Sequence, residues 1–83
     1  MASGLLDIAM PRLSDQMEEA TVLQWLKGPG DTVARGEPLV EVETDKTAVE
    51  MEALQSGTLA EIVAEVGDEV AVGAVIGYIE SAD

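Results

Sequence analysis

Cysteine, histidine and phenylalanine are all missing from this sequence of 83 residues. Without cysteine there is neither a disulfide nor a thiolate metal ligand, a composition that fits an intracellular chain. Without histidine, the side chain that most often moves protons or binds metals near neutral pH is gone too. A Ser–His or Cys–His nucleophile pair is thereby excluded. Aromatic side chains are reduced to Trp25 and Tyr78, so any core must be built from Val, Ile, Leu, Met and Ala. Cations are scarce as well. Arg12, Lys27, Arg35 and Lys46 stand against seventeen carboxylates, for a net charge of −13. Such a surface repels nucleic acid and anionic membrane, keeps a small module soluble and attracts basic docking surfaces on partner proteins. No apolar run approaches the length of a membrane span. Met1-Ala2-Ser3-Gly4 has no basic stretch followed by an apolar one, so no signal or transit peptide is expected.

What is present is alternation. From Glu41 to Glu52 apolar and polar residues alternate on both sides of Asp45-Lys46, the period-2 signature of two half-buried strands joined by a short turn. Folding the chain at that dipeptide sets Val42 opposite Val49 and Val40 opposite Met51 on one face, with Glu41 opposite Glu50 on the other. A slip of one residue would set apolar side chains against carboxylates, so the pattern specifies its own register. Lys46 is carried to the tip of a tight polar hairpin. It is one of only two lysines in the chain.

The remaining segments also read as strands. Leu5–Met10 is apolar enough for one and is stopped by Pro11, which cannot donate to a ladder. Leu13-Ser14-Asp15-Gln16 reads as a turn or loop. Thr21–Leu26 resumes an extended run, with Trp25 and Leu26 expected as packing residues. It breaks at Lys27-Gly28-Pro29-Gly30-Asp31, a dense turn signal. Val33 begins a short extended piece, Arg35-Gly36-Glu37-Pro38 turns again, and Leu39–Glu43 leads into the hairpin. No window of helical length shows a capped 3.6-residue period, so the chain is expected to be all-β and a single small domain. Met10, Met17 and Met51 are expected to fill gaps in a core without phenylalanine. Glu41, Glu43, Glu50 and Glu52 alternate on one face. They read as a solvated surface that could help partners recognise the hairpin, rather than as a cation site.

The second half repeats the first. Setting Thr21–Thr44 over Thr58–Ser81, an offset of 37 residues, brings Gly30 onto Gly67, Asp31 onto Asp68, Gly36 onto Gly73 and Glu43 onto Glu80. Apolar character is kept at Val22/Leu59, Trp25/Ile62, Leu39/Ile76 and Val42/Ile79. The repeat predicts two similar β-units packed with pseudo-twofold symmetry, neither able to bury its apolar face alone. The same offset carries Lys46 to Asp83 or Ala9, so the hairpin is expected at the end of the molecule remote from both chain ends.

Taken together, Met10-Pro11, Met17-Glu18-Glu19, Trp25-Leu26-Lys27, Gly30-Asp31-Thr32-Val33 and above all Glu43-Thr44-Asp45-Lys46 resemble the lipoyl domains of 2-oxo acid dehydrogenase complexes. The likeness continues through Gly57-Thr58 and Val66-Gly67-Asp68-Glu69-Val70 to Ile76. It implies a flattened barrel or sandwich of two small antiparallel sheets, over residues 7–80, with a tail at 1–6 and the start of a linker or tail at 81–83. It implies lipoate in amide linkage to Lys46, with Asp45 and Thr47 as recognition flanks and Glu43 and Thr44 as hairpin context. The implied partners are a lipoate ligase or lipoyl transferase, a thiamine-diphosphate-dependent decarboxylase (E1), an acyltransferase core (E2) and dihydrolipoyl dehydrogenase (E3). In that scheme the lipoyl arm swings between active sites carrying acyl groups and electrons, and the domain itself is a substrate rather than an enzyme, part of a dihydrolipoamide acyltransferase. The wording of the motifs is closer to pyruvate, acetoin or branched-chain complexes than to the 2-oxoglutarate type. A monomeric domain is implied, in a bacterial cytoplasm or a mitochondrial matrix.

Two departures stand out. Ala20 occupies a place where the family usually has glycine, mirrored by Gly57, and Thr47 replaces the more frequent Ala or Val after the lysine. Rival readings are a biotinyl carrier domain of a carboxylase, a glycine-cleavage carrier protein and an unmodified acidic interaction module. Biotinyl domains usually flank their lysine with methionine, whereas Asp45 and Thr47 stand here. Glycine-cleavage carriers are longer, with added helical sequence.

Overall fold

The computed structural model describes residues 4–13, 16–45 and 47–81. Lys46, the Ser14-Asp15 part of the expected loop and the outermost residues of both expected tails lie outside the described residues. Eight strands are described: β1 (Leu5–Ala9), β2 (Glu19–Trp25), β3 (Thr32–Val33), β4 (Pro38–Thr44), β5 (Thr47–Glu52), β6 (Gly57–Ile62), β7 (Glu69–Ala71) and β8 (Val75–Ser81). They form two four-stranded antiparallel sheets, ordered β1-β8-β6-β3 and β5-β4-β2-β7. Among the described residues no helix is long and apolar enough to cross a membrane.

The alternation between Glu41 and Glu52 produces the expected pairing. Val42 faces Val49, Glu41 faces Glu50 and Val40 faces Met51 across the β4–β5 ladder. A register shift between Pro38 and Val40 lets consecutive Leu39 and Val40 both turn inward, at 1% and 0% exposure. That extra residue doubles the apolar contribution of the strand start at a position where strict alternation would expose one of the pair.

The repeat is realised as a correspondence between whole sheets. β4 and β8 occupy equivalent central places, β2 and β6 likewise, and the edge strands β5 and β1 match each other. The units nevertheless exchange a strand: β3, from the first half, pairs with β6, while β7, from the second, pairs with β2. Two identical turns lock this exchange. Gly30 N–H donates to Leu59 O and Leu59 N–H to Asp31 O, at 2.7 and 2.9 Å. Gly67 N–H donates to Val22 O and Val22 N–H to Asp68 O, at 2.8 and 2.9 Å. In each turn the aspartate accepts from a backbone N–H three residues back, Asp31 from Gly28 at 2.8 Å and Asp68 from Glu65 at 2.9 Å. Gly30 and Gly67 both sit at φ +95°, a backbone conformation that residues with side chains rarely adopt.

The core fills the space between the sheets with Val22, Val40, Val42 and Met51 from one and Ile8, Leu59, Ile76 and Ile79 from the other. Met10, Met17 and Met51 are all buried, as a core without phenylalanine requires. Met17 is additionally held through its sulfur, which accepts the Leu13 N–H at 3.1 Å. Ala20 and Gly57 both lie within strands, and neither has positive φ. Ala20 is buried, so a methyl group fits where the family usually has none. Of the expected packing residues, Trp25 is half-buried but Leu26 is exposed, as is its repeat partner Val63. Adjacent residues leave a strand on opposite faces, and Trp25 takes the inner one.

Candidate functional site

The β4–β5 hairpin closes with Thr44 opposite Thr47, leaving only Asp45 and Lys46 in the turn. Two-residue hairpin turns match the twist of their strands when the first turn residue adopts a left-handed conformation. Asp45 does so, at φ 53°, and is the one non-glycine residue with positive φ among those described. Aspartate tolerates this region better than bulkier side chains. Asp45 therefore shapes the turn as well as flanking the lysine, a role that aspartate at the first place of a two-residue turn already signals. Lys46 lies outside the described residues; both neighbours, Asp45 and Thr47, are exposed. The Thr47 hydroxyl reaches back towards the Asp45 carbonyl at 3.5 Å.

The two residues before the turn diverge. Glu43 is exposed, whereas Thr44 is buried and its hydroxyl has no hydrogen-bond partner. The alternation that points Val40 and Val42 inward carries Thr44 inward with them, so the polar atom is buried by register. Leaving a hydroxyl buried and unpaired costs about 1–3 kcal/mol.

Ladder connections put this turn at one end of the molecule. β7 pairs with β2 at Glu19–Thr21, and Thr21 pairs with Glu43 close to the turn. From β7 the chain passes through three residues to Val75 and then along β8 to Ser81. Seven strand residues carry it about 20 Å away. At that far end Ser81 N–H donates to Gly4 O at 3.1 Å, joining the two ends of the described chain. The Gly4–Ser81 junction occupies in one sheet the place that the Asp45-Lys46 turn occupies in the other.

The other lysine is engaged elsewhere. Lys27 pairs with Glu37 at 3.4 Å across the base of the first half. Glu37 also accepts the Ala34 N–H at 2.8 Å. That backbone hydrogen bond, with the Lys27 ammonium, holds the Glu37 carboxyl below its ordinary value. The carboxylates Glu41, Glu43 and Glu50 line the outer side of the hairpin ladder. No group of three or more described carboxylates converges as a cation site.

Amide attachment of a cofactor needs a primary amine on an accessible turn, and the described residues on either side of Lys46, Asp45 and Thr47, are both exposed. Comparison with known proteins points the same way. The biotin/lipoyl family model, described as "Biotin-requiring enzyme", matches residues 6–79. The dihydrolipoyllysine-residue succinyltransferase component of the 2-oxoglutarate dehydrogenase complex of Bacillus subtilis is 48% identical over 75 residues, covering 90% of this chain and 18% of that protein. The dihydrolipoyllysine-residue acetyltransferase component of the pyruvate dehydrogenase complex of Corynebacterium glutamicum is 48% identical over 77 residues, covering 93% of this chain and 11% of that protein. The chain thus spans less than a fifth of either relative. The solution structure of the lipoyl domain of the 2-oxoglutarate dehydrogenase complex from Azotobacter vinelandii superposes with a TM-score of 0.71 at 39% identity, covering 89% of this chain and 94% of that one.

Proposed function

The chain belongs to the biotin/lipoyl family, and on that premise we propose that it is a lipoyl carrier domain with Lys46 as the attachment residue. The observation that carries this reading is the two-residue turn at the end remote from Gly4 and Ser81, flanked by exposed Asp45 and Thr47. A chain continuing from either of those ends would leave the turn facing outward, free to visit several active sites. Of the two lysines, Lys27 is paired with Glu37, which favours Lys46 as the amine that reacts.

When bound, the lipoyl group supplies a dithiolane that accepts acyl groups and electrons. The chain's own residues do three things for it. The β4–β5 ladder places the turn at the molecular end, Asp45 sets its backbone, and Asp45 and Thr47 together give the attaching enzyme a polar context distinct from the methionines of biotinyl domains. Amidation of Lys46 would remove one of only four cations and make the surface more acidic still. The domain catalyses nothing itself. Its partners are a lipoate ligase or lipoyl transferase, a thiamine-diphosphate-dependent decarboxylase, an acyltransferase core and dihydrolipoyl dehydrogenase. The parent is a dihydrolipoamide acyltransferase of a 2-oxo acid dehydrogenase complex. The motif wording leans to pyruvate, acetoin or branched-chain substrates, but succinyltransferase and acetyltransferase relatives share the same 48% identity, which does not separate them. Tethered to such a complex, the domain would act at an effective concentration of order mM.

The test is intact-mass analysis after parallel incubation with lipoate ligase and with biotin ligase, followed by peptide mapping. A lipoyl increment confined to Lys46, and lost in a folded Lys46→Arg variant, is expected. A biotin increment would reassign the chain to carboxylase carriers, and modification at Lys27 would overturn the site.

A further inference from the structure

Strands β1 and β5 are each the outermost strand of their sheet, on corresponding sides of the two layers. Between them runs an apolar cleft. One part lies between Ile8 and Ala9 of β1 and Met51 of β5, floored by Leu39 and Ile79. The other, about 270 Å³, lies between Pro11 and Leu13 and the far half of β5. Leu54 borders both parts and is 72% exposed, the most exposed of the large apolar side chains among the described residues. Among the described lining residues the charges are of one sign: Asp7 in the first part, Glu50 in the second and Glu52 in both. Arg12, between Pro11 and Leu13, donates its guanidinium N–H to Met17 O at 2.6 Å and is not among the lining residues.

Unpaired edge strands present a row of backbone donors and acceptors that an extended chain can complete. Here two such edges border a groove whose apolar floor would take an aliphatic side chain and whose carboxylates would face basic ones. We infer that the cleft between the β1 and β5 edges is a docking groove for an extended basic segment of a partner protein. The segment seats an aliphatic side chain against Leu54 and Met51 and sets Lys or Arg opposite Asp7, Glu50 and Glu52. The occupant is identified by charge. A second copy of this chain, at −13, would bring carboxylates to carboxylates and is repelled. The groove lies along the strand edges rather than on the turn, so a bound segment could hold the domain on a partner while the Lys46 turn stays exposed.

The test uses the unmodified, 15N-labelled chain, so its result does not depend on attachment at Lys46. The probe is a short synthetic peptide of alternating lysine and valine, capped at both ends. Controls replace its lysines by glutamate or its central valine by proline. Expected are amide shift changes centred on Ile8, Ala9 and Met51–Gln55, no binding of the glutamate peptide, and weakened binding of the proline peptide, which cannot complete an edge. Leu54→Ser and the double variant Glu50→Gln/Glu52→Gln should each weaken binding about tenfold, the latter with a shallower salt dependence. Equal binding by the proline peptide, shifts centred on Glu61–Glu69, no binding at all, or dimerisation of the chain through the β1 edge would each overturn the inference.

Discussion

The two sheets share one backbone plan and carry different side chains on it. Val40 in one corresponds to Gly77 in the other, and Trp25 corresponds to Ile62. These differences compensate across the interior. The Trp25 ring reaches over Gly77, where an added Cβ would lie 3.4 Å from Cη2 of the indole. Its Nε1–H donates to Ala64 O at 2.8 Å, stitching the second strand of the first half to the turn that follows β6. A wholly symmetric core would place two medium side chains where this one places a large and a null one. The asymmetry gives a chain with two aromatic residues one large anchor between its halves. The ends differ as well: one sheet closes in the Asp45-Lys46 turn and the other in the junction of Gly4 with Ser81. Backbone symmetry therefore comes from the turns, while the Trp25 anchor and the Asp45-Lys46 turn sit where the symmetry is broken.

Restoring symmetry at Gly77 should do the most damage. A Cβ there would meet Glu61 O at 2.7 Å, too close for backbone to yield cheaply. Gly77→Val is expected to destabilise the fold by about 1–3 kcal/mol, an overpacking cost. Urea unfolding followed by Trp25 fluorescence measures it, and wild-type stability in this variant would refute the packing account. The paired turns offer a sharper comparison. Asp31→Ala and Asp68→Ala each remove one side-chain hydrogen bond of matching length. Each should cost about 1 kcal/mol. Equal losses would confirm that the turns are energetic as well as geometric equivalents, and a clear difference would show that the swapped strands β3 and β7 are held unequally.

The smallest effect concerns Glu37, whose repeat partner is Ala74. The depressed carboxyl of Glu37 stabilises the fold above the ordinary glutamate value of 4.5, and that contribution is lost as pH falls through the lower folded value. Glu37→Gln should therefore narrow its thermal deficit relative to wild type as the solution is acidified. A deficit that is constant with pH would mean that the side chain acts by packing alone. The group is exposed, so the change is expected to be slight and weaker still in high salt.

Much of the fold is legible beforehand because alternation, turn residues and repetition are local signals. Val42 opposite Val49 and Val40 opposite Met51 follow from period-2 patterning once the turn is placed at Asp45-Lys46. Gly30, Gly67, Asp31 and Asp68 announce their turns by residue type. What resists such reading is long-range. Nothing local says that β3 and β7 change sheets, since a two- or three-residue strand carries too little pattern to choose its partner. The exposure of Leu26 depends on which face Trp25 claims, and the Lys27–Glu37 pair depends on a turn bringing them together.

The sequence by itself determined that the chain is all-β and internally repeated, with no histidine or cysteine chemistry and an acidic surface. It also set the register of the strands on either side of Asp45-Lys46, because each of these is written in composition or in spacings of a few residues. Tertiary structure alone decided the strand exchange, the seating of Trp25 over Gly77, the burial of Thr44 and the open cleft between the β1 and β5 edges. Each of these depends on which distant segments share a contact, and a short strand or a single side chain specifies that only when the rest of the core is already in place.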